Sequence, residues 1–153
     1  MRYILFFLAL ILVSCSDDAM LAINSKEPIT LKYNAMEKAL KGINEPFVLF
    51  FYSRDCGVCI KQIPILNELS KEHKIIAVLN GMKDYNMAKN NLKGVEFPTI
   101  YESLDVEYLS SVVGGVYGIP AMFIYDSNGK MIKRFISLTP KSILEKELAL
   151  LKP

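Results

Sequence analysis

The chain is predicted to fold as an α/β domain whose central mixed sheet is flanked by helices on both faces. Three observations carry that prediction. Two unbroken apolar runs rich in β-branched and aromatic residues, at 47–52 and 75–79, have the length and composition of strands buried on both sides. Segments with apolar residues at helical spacing alternate with them. Asn128-Gly129 lies between two further β-rich runs, a strong hairpin signal.

At 153 residues there is room for one domain and one core. A chain of this size buries about 68–70% of its unfolded surface, so it needs neither metal nor disulfide to fold. Hydrophobic residues at 52% against charged residues at 22% exclude a disordered or collagen-like chain. Eighteen Lys and Arg balance sixteen Asp and Glu with no basic cluster, so no nucleic-acid surface is indicated.

Met1 and Arg2 precede an apolar run at 3–13, too short to cross a hydrocarbon core of ~30 Å as a helix. It fits the apolar region of a secretory signal peptide. A buried N-terminal helix would instead have to be enclosed on every side. Leu12-Val13-Ser14-Cys15 resembles a bacterial lipobox, in which the cysteine is lipidated and becomes the first residue. The expected organisation is a lipoprotein signal at 1–14, a polar tether at 15–28 and one domain at 29–153. An ordinary signal peptide with a free cysteine near the cut is the alternative. Either way the protein is exported to a compartment where disulfides persist.

Within the domain, 29–33 is predicted as a short strand and 35–41 as a helix ended by Gly42. The buried strand at 47–52 follows. Ile60, Ile63, Leu66 and Leu69 keep a helical period as far as His73, with Pro64 inside to kink it. After the strand at 75–79 come a helix at 84–92 capped by Asp84 and Gly94, and a weaker one at 104–113. The hairpin joins 121–125 to 131–136. Thr139 before Pro140 reads as the N-cap of a closing helix with Ile143, Leu144, Leu148 and Leu151 on one face.

With Cys15 assigned to lipid, two of three cysteines remain, in Cys56-Gly57-Val58-Cys59. They fall where a buried strand gives way to a helix. A helix N-terminus carries unpaired N–H groups and about half a positive charge, which stabilises Cys56 as the attacking thiolate. Cys59, about one turn on, can resolve the mixed disulfide. Two other readings compete. Half of a zinc site lacks further ligands, since His73 is the sole histidine and lies at the far end of the helix. An inert structural disulfide would close a very small loop, which stabilises least.

Residues from about 29 to 151 resemble the thioredoxin fold, most of all exported, membrane-tethered thioredoxins of the TlpA/ResA type, several of which serve cytochrome c maturation. The resemblance rests on Phe50-Phe51-Tyr52-Ser53-Arg54-Asp55-Cys56-Gly57-Val58-Cys59 with Pro64 beyond it, on Tyr117-Gly118-Ile119-Pro120, and on the hairpin that follows. It implies a thioredoxin-like fold with an insert at roughly 81–116 ahead of a cis-proline loop. It also implies that the bond before Pro120 is cis and that Ile119 and Pro120 dock a substrate peptide. Tyr52 and Tyr117 are expected to line the groove around Cys56.

Three positions depart from the family pattern. Asp55 stands where most relatives have tryptophan, and its carboxylate opposes a thiolate at Cys56. Phe50 occupies the position of the buried acid of thioredoxin itself, and Gln62 that of a glutamate common in the TlpA/ResA branch. Neither usual proton acceptor for Cys59 is therefore present; Asp55, Glu102 and Glu107 are candidate substitutes, and Arg54 and Lys61 flank the site. The seven methionines are scattered and read as core filling.

The resulting expectation is an extracytoplasmic, lipid-anchored, monomeric thiol–disulfide oxidoreductase with no cofactor and no metal. Its Gly57-Val58 spacer offers no cation to stabilise the reduced thiolate, so a reductant is predicted. The expected partners are a membrane electron donor and disulfide-containing exported proteins such as apocytochrome c. A disulfide-forming oxidase, or a redox-inert adaptor or metallochaperone on the same fold, are the alternatives.

Overall fold

A computed structural model describes residues 19–151. The predicted signal at 1–14 and the predicted lipidation site Cys15 lie outside the described residues. The elements in chain order are β1 (Ala19–Met20), β2 (Ala22–Ile23), β3 (Ile29–Thr30), β4 (Lys32–Asn34), β5 (Ala39–Lys41), β6 (Phe47–Ser53), α1 (Gly57–Leu69), β7 (Lys74–Asn80), α2 (Tyr85–Asn90), β8 (Thr99–Ile100), α3 (Ser103–Val112), β9 (Ala121–Tyr125), β10 (Met131–Ile136) and α4 (Lys141–Ala149).

Six strands form one mixed sheet in the order β10-β9-β6-β7-β8-β2. β6, β7 and β8 are parallel, whereas β9, β10 and β2 are antiparallel to their neighbours. The central strand β6 is buried on both faces, as its apolar run predicts, and its side chains alternate between two cores. Val48, Phe50 and Tyr52 join Ile63 and Leu66 of α1 and Leu144 and Leu148 of α4. Phe47, Leu49 and Phe51 join Val106 and Leu109 of α3 on the opposite face. The predicted α/β class, with helices on both sides of a mixed sheet, is what the chain adopts.

The N-terminal part departs most from expectation. Residues from Ala19 onward, predicted as tether, are built into the domain: β1 pairs with β3, and β2 adds a sixth strand beside β8. The predicted strand at 29–33 splits around buried Leu31, its halves pairing with different partners. The predicted helix at 35–41 is instead a turn leading into β5. Asn34 Oδ1 accepts the N–H groups of Met36 and Glu37, each at 3.1 Å, and Lys38 takes φ +51°. This local side-chain capture, together with the pairing of β4 and β5, outweighs the helix propensity of seven residues.

Smaller corrections concern ends. α1 stops at Leu69, short of His73. α2 is shorter than predicted, but Asp84 caps it as expected, its carboxylate accepting the Met87 N–H at 2.8 Å. α4 takes Pro140, not Thr139, as N-cap; the Thr139 hydroxyl turns back to donate to the Ser137 carbonyl at 3.2 Å. Among the described residues no helix is long and apolar enough to cross a membrane.

One core group stands out energetically. Tyr125 stacks on Phe47 with ring centroids 4.7 Å apart, and its buried hydroxyl has no hydrogen-bond partner among the described residues. Burial, with a smaller contribution from Tyr33, raises its pKa, so the folded state keeps the phenol neutral at pH values where the unfolded chain ionises it. Folding is therefore indifferent to this group below its unfolded value of about 10 and loses stability as pH rises above it. Tyr125→Phe is expected to stabilise the protein by about 1 kcal/mol at neutral pH and to shallow the alkaline loss, read by urea unfolding at pH 7 and pH 10.5.

Candidate active site

Cys56 and Cys59 are joined in a disulfide with Cα atoms 5.2 Å apart. β6 delivers the chain to this point and a turn closes behind it, the Cys56 N–H donating to the Ser53 carbonyl at 3.3 Å. Cys56 is the N-cap of α1: its sulfur accepts the Cys59 N–H at 3.1 Å. The first turn of α1 carries no acidic residue. Released from the disulfide, the Cys56 sulfur sits where the helix terminus favours negative charge. It is half-buried, while Cys59 is 0% exposed. The pair thus has one sulfur a partner can reach and one it cannot.

The bond between Ile119 and Pro120 is cis. The next residue, Ala121, pairs with Phe51, so the loop lies beside the end of β6 that hands over to Cys56. Ile119 is partly exposed there. Next to it runs a groove of about 700 Å³, lined among others by Phe51, Val106, Glu107, Ser110, Tyr117 and Ile119. Tyr117 is 93% exposed. Its ring leans over Gly115, which has φ +93°, and a Cβ at that glycine would come within 2.8 Å of the ring. A side chain there would displace Tyr117.

The other predicted site residues separate. Tyr52 edges the same groove, yet its ring is 1% exposed, stacks on Phe50 at 5.2 Å and donates its hydroxyl to the Leu92 carbonyl at 3.3 Å. Its ring is a core element, which corrects the expectation of a substrate-facing side chain. Asp55 points outward, 81% exposed, and accepts from Arg54 Nε at 2.9 Å. Its opposition to a Cys56 thiolate is offset by the adjoining guanidinium. Gln62 is wholly buried, both ends of its amide bonded to the Thr139 backbone. Glu102 occupies the N-cap position of α3, exposed and without a side-chain capping bond, whereas Glu107 reaches the groove. His73 lies with Glu68, Glu72 and Lys141 around a separate cavity at the far end of α1. Among the described residues no group of three or more His, Cys, Asp or Glu is placed to hold a metal.

Two features escaped the sequence reading: the groove face of α3 and the pairing of Gln62 with Thr139. The second had a signal, since a carboxamide on the apolar stripe of a helix needs a buried partner.

A mixed sheet, a cis-proline loop and a Cys-X-X-Cys disulfide at the start of the following helix together define a thioredoxin-fold protein. The chain belongs to the thioredoxin-like domain family, which matches residues 33–152. It is 29% identical over 92 residues to the thiol:disulfide interchange protein DsbE of Vibrio cholerae, a match covering 60% of this chain. The chain spans about half the length of that curated relative, 50% being matched. Among solved structures it resembles StoA of Bacillus subtilis, with a TM-score of 0.64 and 18% identity over 84% of this chain and 92% of the other. It also resembles the exposed lipoprotein thioredoxin Etrx1 of Streptococcus pneumoniae, with a TM-score of 0.60 and 22% identity over 71% and 86%. These likenesses are of fold.

Proposed function

We propose that the protein is an extracytoplasmic thiol–disulfide oxidoreductase that reduces disulfides of exported proteins. The observation that carries this reading is the asymmetry of the pair: a partly exposed Cys56 capping α1, bonded to a fully buried Cys59. In the reduced protein the Cys56 thiolate attacks one sulfur of the substrate disulfide, and the other substrate sulfur leaves as a thiolate. Cys59, deprotonated, then attacks Cys56, and the substrate departs with its second thiol. The pair ends as the disulfide, two electrons poorer, and a membrane electron donor restores the dithiol.

Ile119 and Pro120 dock the extended substrate segment, and the groove under Tyr117 takes its continuation. Cys15 anchors the chain through lipid, in keeping with the lipoprotein character named for the pneumococcal relative. Apocytochrome c cysteines are the substrates this reading favours, because they must stay reduced in an oxidising compartment. The Gly57-Val58 spacer supplies no cation to favour the thiolate, which supports the reducing direction. Equilibrium titration of the purified protein should return a potential near or below roughly −270 mV, the thioredoxin range. A value near about −120 mV would mark an oxidant and remove the haem-protein substrates.

A further inference from the structure

We infer that Gln62 is a positioning residue that locks the helix bearing the two cysteines to the loop bearing cis-Pro120. Gln62 lies three residues past Cys59 on the same side of α1, and both are 0% exposed. Its amide spends both polar atoms on one residue: Nε2 donates to the Thr139 carbonyl at 3.2 Å, and Oε1 accepts the Thr139 N–H at 2.7 Å. The Thr139 hydroxyl donates to the Ser137 carbonyl at 3.2 Å, and the Ser137 N–H donates to the Pro120 carbonyl at 2.8 Å. A continuous path thus runs from Gln62 through Thr139 and Ser137 to Pro120.

The path is held in one shape by these contacts rather than by local preference. Ser137 adopts φ +85°, a left-handed conformation uncommon outside glycine. At position 62 the neutral carboxamide matches both facing peptide groups, one as donor and one as acceptor. Methionine and leucine fill similar space but leave both peptide groups unpaired.

The chemical consequence rests on the thiol–disulfide reading above. A small disulfide has only to meet the Cys56 sulfur. A protein disulfide must also lie along the Ile119–Pro120 backbone, so its reaction alone depends on how that loop stands relative to α1. Gln62 therefore governs protein substrates selectively.

The test compares pre-reduced wild type with Gln62→Met and Gln62→Leu, each reacting with insulin and with the small disulfide dithiobis(nitrobenzoate). The insulin rate constant is expected to fall about tenfold in both variants, while the small-disulfide rate constant stays within about twofold. General loosening of the fold lowers both together, and that result, or no change in either, overturns the inference. A wild type inactive on both substrates defeats the oxidoreductase reading instead. Amide hydrogen exchange on the wild type tests the path without a variant. Ser137 and Thr139 should be protected like the central sheet; exchange at the rate of exposed loops overturns the inference.

Discussion

Replacing Cys56 with serine is expected to bring insulin reduction in the presence of dithiothreitol down to the uncatalysed background. No other described sulfur combines exposure with a helix-capping position. Cys59→Ser should act differently. Cys56 keeps its N-cap place and still attacks, but the resolving sulfur is gone, so a mixed disulfide accumulates and survives non-reducing electrophoresis. Cys56→Ser should trap nothing. Turnover by the Cys56→Ser protein, or equal trapping by both variants, would show that the exposed and buried sulfurs have been assigned the wrong roles.

The largest expected loss of stability is at Phe50. This ring is fully buried at the centre of β6, stacked on Tyr52 and edge-on to Phe97 at 6.5 Å. Phe→Ala at such a site costs about 3–5 kcal/mol, against a total stability of about 5–15 kcal/mol for a domain. The melting temperature of Phe50→Ala should fall by on the order of 10 °C. Phe50→Asp should be worse, because a carboxylate would enter an aromatic cluster that offers it no partner. The buried acid that thioredoxin itself has at this position cannot be restored by one substitution. A Phe50→Asp protein as stable as wild type would contradict this account of the core.

What was legible in the sequence follows from what each segment depends on. β6 and β7 were readable because burial on both faces requires an unbroken apolar run, which few other structures produce. The hairpin was readable because Gly129, at φ +77°, occupies a turn position that few residues accept. Cys56 and Cys59 were readable because their chemistry depends on a spacing within four residues. The stretch around 19–41 was not, since β1 to β5 are two or three residues long, too short to show a period of their own, and exist only through pairing. Ala39, for example, is held by Asn34 and by a bridge to Lys130. The pairing of Gln62 and the burial of Tyr52 were missed for a related reason: their neighbours, Thr139 and Leu92, lie 77 and 40 residues away.

The inclusion of β2 in the sheet bears on how the molecule stands on a bilayer. β2 runs antiparallel to β8, and Ala22 pairs with Ile100, which is level with Val78 and, through it, with Phe51. The chain therefore enters the sheet from the end at which β6 hands over to Cys56, three strand spacings or about 14 Å to the side. Were Cys15 lipidated as proposed, the anchor would be four residues from Ala19, at most about 14 Å of chain. A molecule so anchored would stay near the membrane surface. It would stand close to the lipid headgroups with the Cys56 end of β6 on the side of the anchor, a posture suited to trading electrons with a partner embedded in the same membrane.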